Sequence, residues 1–227
     1  MTRATDLDRS LPDPLPADPF PTFKAWYDEA HDLAAQPNPN AMTVATAQGG
    51  QPSARVVLCR GISLDRGFLV FFTNRRSQKG REIDQPHARA AALFHWDHME
   101  LQVRIQGPVV ESPAEESDDY WNARRFKSKL AAWASDQSEP VDSRDTLVRR
   151  YDEVCARFGV DPATHEPEKP IPRPPHWGGY RIWADRVELW CGSPIRFHDR
   201  ARWTRDLTEK PAGDFDASDW TVTRLQP

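Results

Sequence analysis

Cysteine is scarce and odd in number: Cys59, Cys155 and Cys191 are the only three in 227 residues. No CxxC pair occurs, so neither a disulfide framework nor a ribbon-type zinc site is expected, and a reducing compartment is the simpler setting. No apolar run approaches the ~20 residues that a membrane span needs. The opening residues, MTRATDLDRSLPDPLPADP, lack the apolar centre of a secretory signal. Thirty Lys and Arg against 34 Asp and Glu leave a net charge of −4. That balance offers no basic field for nucleic acid and suits a soluble cytosolic chain. Glycine is sparse, with 11 residues. No GxGxxG follows a strand, no GxxxxGK[ST] is present, and GxSxG and HExxH are missing. Dinucleotide folds, P-loops, hydrolase elbows and zincin helices are therefore unsupported.

What is present is a sizeable apolar set, 38% of the chain with nine Trp, and 21 prolines that punctuate it. Residues 1–17 are polar and Pro-rich and read as a loose arm. Residues 18–227 read as one domain. A first helix is predicted from Asp18, with Asp as N-cap and Pro19 in the first turn, presenting Phe20, Phe23, Tyr27, Ala30 and Ala34 on one face. Short Val-, Phe- and Leu-rich runs follow: AMTVATA, SARVVLCRG, GFLVFFT, ARAAALFHW and MELQVRIQGPVVE. They are separated by turn residues and by a short polar helix, RRSQKGREIDQ. Ser112, Pro113 and Glu115 have the spacing of a capping box for the next helix. A further helix is predicted from about Asp142 to Phe158, with Leu147, Val148, Tyr151, Val154, Cys155 and Phe158 as its apolar stripe and Gly159 as its end. Residues 160–177 are a Pro-rich connector. The closing strands GGYRIWADRVELWC, IRFHDRARWTRD and DWTVTRLQ are too few for a core of their own and are expected to rejoin the earlier sheet. The fold class is α+β, a mainly antiparallel barrel with peripheral helices.

Several groupings have chemical meaning. Tyr120, Arg124 and Ser128 fall at i, i+4 and i+8, so a continuous helix would align them. An Arg fork between two hydroxyls suits a phosphate monoester; a solvated helix face is the plainer reading. Thr73, Ser77 and Lys79 lie in TNRRSQKGRE, at a turn and helix start that attract phosphate, or else on a basic surface helix. In ARVVLCR, Arg55, Val57 and Cys59 alternate with Val56, Leu58 and Arg60, either as an ordinary barrel strand or as an edge for a flat ligand. His95, Asp97 and His98 do not share a strand face, which argues against a metal. In IRFHDR, strand alternation would put Arg196, His198 and Arg200 on one face, where three basic groups call for an anion or for water.

Taken in order, AMTVAT, RVVLCR, FFTN with SQKGRE, LQVRIQGPV, AWASDQS, HWGGYRI, VELWCG and RFHDR closing on RLQP resemble the pyridoxine/pyridoxamine 5′-phosphate oxidase family. The resemblance runs from about Asp18 to Pro227. It implies an FMN-binding split β-barrel, a homodimer with FMN at the subunit interface, and a cytoplasmic oxidase. The implied reaction is oxidation by dioxygen of pyridoxine or pyridoxamine 5′-phosphate to pyridoxal 5′-phosphate, with hydrogen peroxide released. It implies that Arg55, Val56, Val57, Leu58, Cys59 and Arg60 line the flavin, several through backbone. Phe72 and Thr73 would touch its ring and ribityl region, Gln78 and Lys79 its phosphate, and Gln102 its ring. Gln137, Ser138, Trp190 and Arg200 would reach it from the partner subunit. Arg60, Tyr120, Arg124 and Ser128 would hold the substrate, and Arg196 and His198 would orient it and serve catalysis. No metal is implied.

The chain departs from the family pattern at three places. The family usually has Lys at Arg60 and Arg at Gln78. Where it reads Arg-Pro-x-x-Ser-Gln-x-Gly-Ala-Trp, this chain reads RRFKSKLAAW, with Arg125 for Pro, Lys129 for Gln and Ala131 for Gly. These departures keep two alternatives in view: a related flavin oxidase of the phenazine-assembly type with another substrate, and a flavin- or pyridoxal-phosphate-binding protein without turnover.

Overall fold

The computed structural model describes residues 9–161 and 169–227. Along the chain run α1 (Phe20–Leu33), β1 (Ala41–Gln48), β2 (Gln51–Leu58), β3 (Gly61–Ser63), β4 (Phe68–Asn74), α2 (Gln78–Ile83), β5 (Arg89–Trp96) and β6 (Leu101–Glu111). Then come α3 (Ala114–Ala123), α4 (Phe126–Ala134), α5 (Arg144–Phe158), β7 (Trp177–Trp183), β8 (Arg186–Cys191), β9 (Asp199–Thr204), β10 (Leu207–Lys210), β11 (Asp214–Ala217) and β12 (Thr221–Leu225). The chain divides into two compact units. Unit 1 comprises the residues up to Phe71, Pro86–Val110 and Arg181–Pro227; unit 2 comprises Phe72–Gln85 and Glu111–Tyr180.

Unit 1 is an antiparallel sheet in the order β12-β9-β8-β6-β5-β1-β2. The expected return of the C-terminal strands to the earlier sheet is therefore seen: β8 pairs with β6, β9 with β8 and β12 with β9. Gly49 and Gly50, both at positive φ, turn β1 into β2. A two-residue loop with that geometry matches the right-handed twist of the strands it joins. Alternation along β6 sets the two faces. Leu101, Val103 and Ile105 are fully buried, while Gln102, Arg104 and Gln106 sit on the other, half-open face. α1 covers the buried side with Phe20, Phe23, Trp26 and Ala30, and Phe23 meets Phe94 of β5 at 5.2 Å. Asp18 does receive the Phe20 N–H, 2.9 Å. The inward face also includes Trp26, which the spacing did not pick out; Tyr27 is half-buried with its ring against Phe94 and Trp96, whereas the expected Ala34 is exposed. Gly107 lets β6 pass close to the backbone after β7: a Cβ there would lie 1.7 Å from the Trp183 carbonyl oxygen.

The expected loose arm is held over residues 9–17; residues 1–8 lie outside the described residues. Leu11 is only 3% exposed and donates its N–H to Asp199, 2.8 Å. Trp203 donates its indole N–H to the Pro16 carbonyl, 2.8 Å, and Arg9 pairs with Glu29. One apolar anchor and these bonds outweigh a composition that suggests disorder.

Unit 2 is helical around Trp121, Leu130, Cys155, Val160, Ile171 and Trp177. The connector is tied down by indole N–H groups: Trp121 donates to the Ile171 carbonyl and Trp133 to the Pro172 carbonyl, each at 2.8 Å. Ser143 caps α5 through the Thr146 N–H, and Gly159 ends it in the left-handed region. Tyr151, Val154, Cys155 and Phe158 pack inward, but Leu147 and Val148 are exposed, which corrects the predicted stripe at its first turn. The capping box also fails. α3 has no side-chain cap; Ser112 is still strand-like and gives its N–H to Gly179, 3.0 Å. The continuous helix through Tyr120, Arg124 and Ser128 is broken. Arg124 is extended (φ −70°, ψ 147°), and a new helix starts at Phe126. Extended backbone is what a following proline imposes, and the family pattern has proline at position 125. The break survives here with Arg125 instead, because Trp121 and Leu130 on either side of it are both buried.

Candidate functional site

Each unit gathers part of the expected site. In unit 2 the segment after β4 folds around a buried lysine. Lys79 is 6% exposed, and its ammonium reaches Thr73 Oγ1 at 3.0 Å, Ser77 Oγ at 3.1 Å and Gln137 Oε1 at 3.0 Å. Ser77 caps α2 by accepting the Gly80 N–H. Gly80 has no substitute at this turn, since a Cβ would lie 2.0 Å from the Arg75 carbonyl oxygen. A buried ammonium among hydroxyls is a donor set suited to a phosphate. Gln78 is exposed and donates along its own helix to Glu82, 2.9 Å. Gln137, implied to act across a subunit interface, here accepts from Lys79 and Thr73 of its own chain. Ser138 follows in the left-handed region, φ 75°.

The second group in unit 2 is an aromatic pile. Phe72, Tyr120 and Trp177 lie nearly parallel, with Phe72 to Tyr120 at 4.2 Å and Phe72 to Trp177 at 5.5 Å. The Arg124 guanidinium stands 4.7 Å over Trp177 and 5.3 Å over Trp121. Cation–π contact fixes the arginine beside Tyr120 even though the helix is broken between them. Ser128 lies in the first turn of α4, half-buried. Sequence reasoning missed Trp177 as the floor of this group. Its signal was available in HWGGY, where a Trp precedes two glycines.

In unit 1 the strand register lines up Gln102 with Trp190, and Trp190 with Arg200. Directly opposed residues of antiparallel strands share a face, so these three form a row across β6, β8 and β9. Glu188, 2% exposed, lies one step along the same face of β8. Its carboxylate accepts from Arg200 at 2.7 and 3.2 Å and also from Arg104. This buried acid, which sequence reasoning did not single out, fixes the aim of Arg200, whose Nε and Nη2 both donate to one carboxylate oxygen while the other oxygen accepts from Arg104. Arg55 on β2 is held by the hydroxyls of Thr46 and Ser53, each at 2.5 Å. Val56 is 66% exposed, Val57 and Leu58 are half-buried, and Arg60 is exposed. Cys59 turns its thiol into the core, where burial pushes it up to about 12, and its backbone N–H and C=O are both bonded to Asn40.

IRFHDR is not a strand throughout. β9 begins at Asp199; residues 194–196 form a turn closed by the Arg196 N–H to the Ser193 carbonyl, 2.9 Å. Arg196 is in the left-handed region, φ 65°, and exposed. The predicted shared face of Arg196, His198 and Arg200 by alternation is therefore corrected. His198 is placed instead by two contacts: its ring lies 4.6 Å from Trp190, and its Nδ1 accepts the Ser193 N–H, 3.1 Å. A backbone N–H can only donate, so a neutral His198 carries its proton on Nε2. Among the described residues no group of three or more His, Cys, Asp or Glu side chains is arranged to hold a metal ion. No helix there is long and apolar enough to cross a membrane.

The family described as pyridoxamine 5′-phosphate oxidase matches residues 28–157. The pyridoxine 5′-phosphate oxidase C-terminal dimerisation region matches residues 177–227, the span that supplies β7, β8, β9 and β12. A protein of Burkholderia orbicola (strain MC0-3) named pyridoxine/pyridoxamine 5′-phosphate oxidase is 48% identical over 212 residues, covering 92% of this chain and 89% of the relative. The same-named protein of Burkholderia multivorans (strain ATCC 17616 / 249) is 49% identical with the same coverage. Among solved structures, PhzG from Burkholderia lata 383 in complex with tetrahydrophenazine-1-carboxylic acid is 31% identical, with a TM-score of 0.78 over 97% of this chain and 98% of that one. A pyridoxamine 5′-phosphate oxidase-related, FMN binding protein from Nostoc punctiforme PCC 73102 has a TM-score of 0.63 at 18% identity over 91% of this chain and 95% of that one, a likeness of fold alone. The antiparallel sheet with peripheral helices is thus the expected split barrel. Both matched regions, the relatives across nine-tenths of the sequence and the fold agree that the chain belongs to the pyridoxamine 5′-phosphate oxidase family.

Proposed function

We propose that this chain is an FMN-dependent oxidase that converts pyridoxamine or pyridoxine 5′-phosphate to pyridoxal 5′-phosphate, working as a homodimer in the cytoplasm. The observation that carries the reading is Tyr120 and Arg124 against Trp177, a cationic and hydroxyl-bearing place for a phosphate monoester next to flat aromatic rings, with Ser128 in the first turn of α4 as a further donor. The names of the Burkholderia relatives point the same way. The dimerisation region at residues 177–227 supports the dimer. Three free thiols, all buried, suit a reducing cytoplasm.

The residues present fit FMN. Lys79, Thr73 and Ser77 supply donors for its phosphate, and Gln102, Trp190 and Arg200 supply a polar and aromatic row for its ring system. Bound FMN would supply two-electron redox chemistry between the substrate's C4′ carbon and dioxygen, with hydrogen peroxide as the reduced product. The chain's own residues do the placing. Arg124, Tyr120 and Ser128 fix the phosphate end of the substrate; Arg196 and His198 orient its ring end. With Nδ1 occupied by the Ser193 N–H, His198 meets the substrate through Nε2–H as a donor. Arg200 holds positive charge where electron density accumulates, at an angle set by Glu188. Most of the rate enhancement is then placement and electrostatics.

A second reading is favoured by one observation, the 31% identity to PhzG over nearly the whole chain: oxidation of a reduced tricyclic carboxylate in place of the vitamer phosphate. Aerobic incubation of the purified protein, with and without added FMN, separates the two. Pyridoxamine 5′-phosphate should yield pyridoxal 5′-phosphate and peroxide in equal amounts. Failure to turn over either vitamer phosphate with FMN bound would reject the first reading.

A further inference from the structure

This inference rests on Tyr120, Arg124 and Ser128 holding the substrate's phosphate. Beside them stands Lys129, at the position where the family pattern has Gln. Its side chain does not extend into water. It runs back across the break between α3 and α4, and its ammonium donates to the Asn122 carbonyl, 3.0 Å. Lys129 is half-buried. Burial first, and the charge of Arg124 second, hold its ammonium below the usual lysine range. Arg124 cannot swing away from it, because Trp177 and Trp121 flank the guanidinium. α4 opens at the same place with no acid in its first turn and no side-chain cap on Arg125, so its first N–H groups add partial positive charge.

Two like charges held close repel, and an anion that contacts both reverses the sign of that term. The gain grows with the charge of the anion, so a phosphate dianion gains more than a carboxylate. We propose that Lys129 is a second cationic contact to the substrate's phosphate and a specificity-determining residue that favours phosphate esters over carboxylates. A purely structural role, bridging α3 to α4 through the Asn122 carbonyl, would need no ligand at all and would be served as well by a neutral donor such as Gln.

The test uses the full chain loaded with FMN. Lys129→Gln and Lys129→Met remove the charge, Met keeping the apolar stem; Lys129→Arg keeps the charge. In steady-state oxidation of pyridoxamine 5′-phosphate, the Gln and Met variants should raise KM about tenfold with kcat within about twofold, and Arg should restore KM. Inorganic phosphate, titrated against the same proteins by phosphorus NMR, should bind about tenfold more weakly to the Gln and Met variants, while acetate binding falls by a smaller factor. KM and phosphate affinity both unchanged in either neutral variant would overturn the proposal. So would a lowered melting temperature with unchanged phosphate affinity, which is the mark of a bridge alone. If the parent chain oxidises no vitamer phosphate yet binds inorganic phosphate through Lys129, the proposed function fails and this inference stands.

Discussion

Arg196 shows most directly how one residue's backbone and its side chain can serve opposite ends. A non-glycine residue in the left-handed region costs roughly 1–2 kcal/mol, and Arg196 sits there at φ 65°. Its side chain is exposed, so no packing offsets that cost. Arg196→Gly should therefore raise stability by about 1 kcal/mol, read from thermal unfolding of the FMN-loaded protein. Arg196→Ala should leave stability nearly unchanged. Both variants should raise KM for the vitamer phosphate while flavin stays bound; loss of flavin with unchanged KM would contradict the assigned role. The basic character of IRFHDR was legible in the sequence. Its geometry was not. Alternation describes a strand, and Pro194 two residues ahead of Arg196 makes a turn instead. Lys79 and Thr73 were legible from TNRRSQKGRE, whereas Glu188 was not: a lone acid in VELW reads as surface until the register puts Arg104 directly opposite it on β6 and Arg200 diagonally across on β9.

At the scale of elements, the strands were the readable part. Short Val-, Phe- and Leu-rich runs bounded by Gly and Pro mark β1, β4, β5 and β6 to within two residues, whereas SARVVLCRG overshoots β2 and GGYRIWADRVELWC, read as one run, divides into β7 and β8. The hairpin of β10 and β11 was missed because LTEK and DFDA bury almost nothing, leaving no alternation to detect. Helix periodicity misled at Arg124 for a related reason. Spacing carries no information about a single extended residue between two helical turns, and the proline that would have marked it is absent. Close backbone contacts were equally silent. Gly107 reads as an ordinary weak point in a strand, yet the chain after β7 passes against it. Gly107→Ala forces a Cβ into the Trp183 carbonyl. It should cost about 3 kcal/mol, measured by urea denaturation, and an unchanged midpoint would show that β6 and the residues near Trp183 can separate without penalty.

At the scale of the molecule, the proposed dimer is the property that composition hides. Nothing in pI or net charge announces it, yet residues 177–227 match a dimerisation region. Val56, Ile195 and Phe197 are the large apolar side chains left most exposed among the described residues, at 66%, 72% and 75%. Light scattering after gel filtration should return twice the 25.9 kDa chain mass; a monomer at micromolar concentration would reject the dimer.

The two units are also interleaved along the chain: unit 1 is interrupted twice, at Phe72–Gln85 and at Glu111–Tyr180. The longer interruption carries Tyr120, Arg124, Ser128 and Lys129 together, and none of the row Gln102, Trp190 and Arg200. If Tyr120, Arg124 and Ser128 hold the phosphate end of a substrate, that end can be respecified by altering one uninterrupted stretch of gene while the row on β6, β8 and β9 stays as it is. A scaffold shared by proteins named pyridoxine/pyridoxamine 5′-phosphate oxidase and by PhzG is what such an arrangement of the coding sequence permits.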